Sequence, residues 1–216
     1  MGQAIFWSNV GIDVQTALAT AISLSAISKA SPGVATYTGA TNPANGDYIV
    51  MTSNGMFEVS NRIFRVANVN TGGKTFELEG EDTTTYNTFT SGSFQQITFG
   101  ASMTIAQNIA PSGGDLQYAD TTTVHDNVQK RAPTIVSPLS LAMDAIFDVT
   151  DPAYIEMNKA YKSKTVRAIR LRFGTGFKML MTGYCGAPGV PSGQNQGIVQ
   201  MKLSVEGQNI PTVYST

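Results

Sequence analysis

The chain holds one histidine and one cysteine, so few side chains are available for chemistry. His125 lies beside Asp126 and shortly after Asp120, the pair that would have to serve as base and orienting carboxylate in a Ser–His–Asp site. No Gly-x-Ser-x-Gly elbow supplies the nucleophile, so the residues favour a solvated loop histidine. A zinc site would need His-x-x-x-His or Glu-x-x-His spacing, and neither occurs. Glu77, Glu79, Glu81 and Asp82 are close enough to consider Ca²⁺, yet their spacing fits no EF-type loop and reads as an acidic turn. Gly174-Thr-Gly176 and the Gly186–Gly189 pair open no helix and so cannot cradle a phosphate. Cys185 has no partner for an internal disulfide and is expected to be a buried, inert thiol. Trp7 is expected to be a core or interface anchor. Arg167, Arg170, Arg172 and Lys178 form a basic cluster on one hairpin. It could meet phosphate or the acidic residues of a neighbouring subunit, or be paired within the chain; both remain open. No catalytic set, cofactor or metal is predicted.

The elements that carry these residues are mostly strands. Residues 198–206 alternate strictly: Val199, Met201, Leu203 and Val205 one way, and Gln200, Lys202, Ser204 and Glu206 the other. Period two marks a half-buried strand. Residues 166–173 and 177–184 form a hairpin across a Gly-Thr-Gly turn. Asp151-Pro152 starts a helix, with Asp151 as cap and Pro152 where no donor is needed. Tyr154, Met157, Ala160 and Tyr161 give it an apolar stripe, ending near Lys164. Residues 4–14 and 19–27 are strand candidates, although Ala and Leu leave a helix open over 14–30. Residues 31–97 carry short strands, with a hairpin signal at Asn70-Thr-Gly-Gly73, and read as a small barrel or sandwich. Residues 97–105 and 134–149 are further strands. Between them, 110–132 lack apolar periodicity and read as a long functional loop.

The 216 residues contain 42% hydrophobic but only 13% charged side chains, with a formal net charge of -1. That charge balance argues against a basic surface wrapped by nucleic acid. So few charges suit a chain that buries much of its exterior against copies of itself. No apolar run of about 18 residues spans a membrane, and the N-terminus lacks the pattern of a signal peptide. The expected location is a cytoplasm, or an assembly built there.

Two sets of motifs resemble a known family. Arg170-Leu-Arg-Phe173, Thr182-Gly-Tyr184 and Leu203-Ser-Val-Glu-Gly207 follow the order of the C-terminal half of major tail tube proteins of long-tailed, siphovirus-like bacteriophages. Ser31-Pro-Gly-Val-Ala-Thr-Tyr37, Asn45-Gly-Asp-Tyr48, Asn61-Arg-Ile-Phe-Arg-Val66 and Thr75-Phe-Glu-Leu78 resemble a small β module found in phage structural proteins. The resemblance implies a mainly β protein: a β-sandwich or barrel tail-tube fold of residues 1–30 and 95–216 with one flanking α-helix, and a small inserted β module over 31–94. It implies a virion protein assembled in the host cytoplasm, whose hexameric rings stack into a tube that conducts DNA. Its partners would be itself, the tail tip and terminator proteins, and the tape measure protein and DNA in the lumen. Pro111, Asp115, Tyr118, His125, Lys130 and Arg131 would lie on a loop reaching another subunit or ring, and Arg167, Arg170, Arg172 and Lys178 at a basic subunit contact. A lumen passing DNA should not be basic, which makes Asp144, Asp148 and Glu206 its candidate lining. The competing readings are a contractile-tail inner tube, a tail terminator, or a β-rich binding or adhesion module. In the last case Tyr37, Tyr48, Phe57, Phe64 and Phe76 would have to form a face, whereas their alternation suggests a core.

Overall fold

Pairing between distant strands builds this fold. The computed structural model describes residues 10–215. Trp7 and the beginning of the 4–14 strand candidate lie outside the described residues. In chain order the strands are β1 (Gly11–Leu18), β2 (Ile22–Ile27), β3 (Val34–Thr38), β4 (Tyr48–Asn54), β5 (Ile63–Asn70), β6 (Thr75–Leu78), β7 (Ser91–Met103), β8 (Ala106–Ser112), β9 (Leu116–Asp120), β10 (Arg131–Val136) and β11 (Ser140–Ile146). Helix α1 (Pro152–Ser163) follows, then β12 (Val166–Arg172), β13 (Lys178–Gly186), β14 (Pro191–Ser192), β15 (Gln200–Gly207) and β16 (Thr212–Tyr214).

The first unit is a closed barrel of order β2-β3-β6-β5-β4-β7, sealed by β2 pairing with β7. Its centre holds Tyr37, Phe76 and Phe94, with Phe76 and Phe94 edge-to-face at 5.1 Å. Phe64 is also buried, while Phe57 is exposed, so these aromatics serve mainly as core. The thirteen-residue β7 serves two units. Its first half pairs with β2 and β4, and its second half with β1.

The second unit is the run β7-β1-β12-β13-β15-β11-β8. Only Thr104 and Ile105 separate β7 from β8, yet the two stand at opposite ends of this run. Consecutive Cα atoms are about 3.8 Å apart, so Met103 and Ala106 lie within about 11 Å and the sheet must curl until its ends approach. The enclosed face buries Ile12, Val14, Leu141, Met143, Leu203 and Val205 against the helix residues Tyr154, Met157 and Ala160. A third apolar cluster joins barrel and sheet: Ile63 and Ile97 meet Ala168, Leu180 and Tyr214.

Helix α1 begins as its sequence dictates. Asp151 Oδ1 accepts from the amides of Ala153 and Tyr154 at 2.9 and 3.0 Å. Oδ2 accepts from the Thr104 amide at 3.0 Å, so one carboxylate caps the helix and pins it to the β7–β8 junction. Lys164 closes the helix in the left-handed region, at φ 53°.

Several sequence expectations need correction. Tyr161 is exposed, because Ala153, Tyr154, Met157 and Ala160 already complete the buried stripe. Val199 precedes β15 and is exposed. Val149 is exposed beyond the end of β11, and 134–149 is split between β10 and β11. The supposed loop 110–132 is not one loop: it takes in the end of β8, all of β9 and the start of β10, and β8 pairs with β11 and β9 with β10. Every residue of β9 is exposed, so burial imposes no alternation that a reader of the sequence could detect.

Candidate assembly surfaces

The β9–β10 hairpin projects from the body. It leaves the end of β8 through Gly113 and Gly114, at φ +79° and +82°. A Cβ on Gly113 would stand 2.2 Å from the Pro138 carbonyl oxygen, so the root admits only glycine there. The tip is held by side-chain turns. Asp120 accepts from the Thr122 amide at 2.8 Å and from Gln129 at 3.0 Å. Hydrogen bonding from the Thr122 side chain, with the bonds from the Thr122 amide and Gln129, draws its carboxyl pKa down to about 2. Asp126 accepts from Thr123 and pairs with Lys130. Among the described residues most of the hairpin's apolar side chains are exposed: Val124 is 97% exposed, and Tyr118, Val128 and Ile135 are also in the open.

The sequence-predicted loop residues divide between two strands and a tip. Pro111 sits in β8 opposite Leu141. Asp115 lies at the hairpin root, where its amide donates to Ser137 Oγ at 2.9 Å. Tyr118 faces Pro133, and Arg131 faces Asp120. His125 is exposed at the tip, next to Asp126 and in the same turn as Lys130.

The outer face of the β8–β11–β15 sheet is polar. Opposite pairs there are Ser140 with Glu206 and Asp144 with Lys202. Ser140 Oγ donates to Glu206 at 2.8 Å, and Asn108 Nδ2 to Asp144 at 3.3 Å. Asp144 and Glu206 therefore share a face, with Lys202 directly opposite Asp144. Asp148 lies past the strand end. Its carboxylate accepts from the Thr150 hydroxyl and amide, which lowers its pKa. The other edge of β8 pairs with no strand among the described residues.

The basic cluster divides too. Asp13 is only 2% exposed and lies directly opposite Arg170. Arg170 and Arg172 both bond its carboxylate. The Arg170 guanidinium also lies over the rings of Phe99 and Tyr48, at 4.6 and 5.5 Å. Arg167 donates to Thr165 Oγ1 at 3.2 Å, and Lys178 sits opposite Arg172. Sequence reading missed Asp13, because nothing local marks it as the acid for two arginines far along the chain.

The acidic run belongs to the barrel wall. Glu81 pairs with Arg62 and Glu79 with Arg65. Cys185 is buried, and desolvation pushes its thiol up to about 11, as suits an inert core group.

No helix among the described residues is long and apolar enough to cross a membrane. Comparison with curated protein sequences gives no match. A family model described as phage tail tube protein matches residues 54–216. The match begins at the last residue of β4, so it takes in the barrel strands β5, β6 and β7 and every strand of the second unit except β1. That family is structural, not enzymatic, and its members are virion components. The chain belongs to the phage tail tube protein family.

Proposed function

We propose that copies of this chain close into hexameric rings, that the rings stack into the tail tube, and that the tube conducts DNA during ejection. The family match over residues 54–216 carries this reading. Two features of the subunit support it. The outer edge of β8, unpaired among the described residues, would expose backbone donors and acceptors, a state that folded proteins normally cover. A strand of the next subunit in a ring would cover it. The β9–β10 hairpin carries apolar side chains that its own chain leaves exposed, and an isolated two-stranded ribbon is marginal in water. Contact with another subunit or ring would bury them, with Pro111, Asp115, Tyr118, His125, Lys130 and Arg131 at or near that contact.

The polar face holding Asp144, Lys202 and Glu206 is the proposed lumen wall. Asp148, beyond the strand end, would sit at its rim. Two acids against one lysine leave this wall without a basic excess, so phosphates would slide past it. A basic subunit contact would rest on Arg167 and Lys178, since Arg170 and Arg172 are ion-paired within the chain. Within the virion the tube would meet the tail tip and terminator proteins, with the tape measure protein inside it. Electron microscopy of the purified protein tests the reading: tubes of uniform width support it, and a persistent monomer refutes it.

A further inference from the structure

Two uncharged apolar features lie at opposite ends of the same sheet. At one end, where Ser140 faces Glu206, a groove of about 740 Å³ is lined by Ile135, Val136, Pro138, Leu139, Ile210 and Pro211, among others, and by no charged side chain. At the other end, where Ile146 faces Gln200, residues 187–199 form a loop that also lacks any charge. Val190, Ile198 and Val199 stand exposed on it.

The loop is held in place. Ala187 is buried, and its carbonyl accepts from Asn158 Nδ2 at 2.7 Å. Gly189 has φ +70°, and a Cβ there would lie 2.2 Å from Tyr154 Oη, so the chain passes tightly over α1. Pro191 and Ser192 then pair with Met201 and Gln200. At its far end the Val199 carbonyl accepts from the Phe147 amide at 2.9 Å. Such preorganisation lowers the entropy lost on docking.

We infer that the groove of one copy receives loop 187–199 of the next copy along the tube axis. This inference rests on the stacked-ring reading above and names the surfaces that meet. A second copy is the fitting occupant because groove and loop stand at opposite ends of the same strands. Joining unlike surfaces head to tail does not close on itself, and so extends without limit. Both surfaces are uncharged, so neither strands a charge when buried. One loop covers less than the roughly 1,000 Å² expected of an independent interface. Repetition around a ring makes many such weak contacts act together. Stacking is then weak for single subunits and strong for complete rings.

The test uses the full chain with Ile198→Lys, Ile210→Glu and both together. Ile198 is 62% and Ile210 55% exposed, so each variant folds, and its melting temperature stays within about 2 °C of the parent. Each single charge is expected to shorten tubes by at least tenfold in electron micrographs, and the pair to restore them. Parent tubes with no shortening in either single variant would overturn the pairing of groove and loop while leaving the tube reading intact. Shortening without restoration in the double variant would also overturn it. A parent chain that forms no tubes would remove both readings. As a second measurement, the Ile198→Cys, Ile210→Cys double variant in assembled tubes should give a ladder of linked dimers, trimers and longer chains under mild oxidation. Monomer alone would contradict the contact.

Discussion

Arg172 holds Asp13 with two hydrogen bonds: Nε donates to Oδ2 at 2.6 Å and Nη2 to Oδ1 at 2.9 Å. Arg170 and Ser102 add bonds at 2.9 and 2.6 Å, so the carboxylate is saturated where β7, β1 and β12 meet. Burial pushes the Asp13 pKa up, but the bonds from Arg172, Ser102 and Arg170 together outweigh it, and the net value lies below the ordinary 3.8. A group whose folded pKa is depressed stabilises the fold above its unfolded pKa and loses that contribution as pH falls through the folded one. Asp13→Asn is therefore expected to cost about 2 to 3 kcal/mol at neutral pH, because charge-assisted bonds are lost and two arginines lose their anion. The gap between parent and variant should narrow below about pH 4. Urea denaturation at several pH values checks both statements, and a gap that stays constant into strong acid would contradict the second.

The seam between barrel and sheet should be integral to the fold. Thr212 Oγ1 donates to the Ile63 carbonyl at 2.6 Å, and Tyr214 Oη accepts from the Arg65 amide at 2.9 Å. Leu180 is fully buried between them. Leu180→Ala is expected to cost about 2 to 5 kcal/mol by urea denaturation. Excising residues 33–93 should yield insoluble protein, since Ala168, Leu180 and Tyr214 would lose their cover. A soluble, cooperatively folding excision product would show the seam to be dispensable.

The projecting hairpin should matter to assembly and hardly to folding. Gly113 and Pro138 already touch, so residues 115–137 can be deleted with little rearrangement. The shortened chain is expected to melt within about 2 °C of the parent, because β9 buries nothing. It should fail to form long tubes in electron micrographs. Normal tubes from this deletion would remove the hairpin from assembly.

The sequence was legible where one face is buried and the other is wet. Met201, Leu203 and Val205 alternate with solvent-facing partners, so β15 could be read directly. Asp151-Pro152 announced α1 because a cap and its neighbours are local in sequence. The β9–β10 hairpin was illegible because it buries neither face. The barrel's closure by β2, and Asp13 as the acid for Arg170, depend on registers between strands far apart; Asp13 and Arg170 are 157 residues apart. Local pattern carries no record of such a register. Of the surfaces, the polar face of β15 could be named in advance, whereas the uncharged groove beside Ile210 exists only once β10, β11 and the chain after β15 come together.

Polymerisation into a tube is the property proposed for this subunit on which the other predictions depend. Negative-stain electron microscopy of the purified full chain over rising concentration, with light scattering on the same samples, tests it most directly. Tubes of one uniform width that lengthen with concentration are expected. A monodisperse monomer at the highest concentration would contradict it.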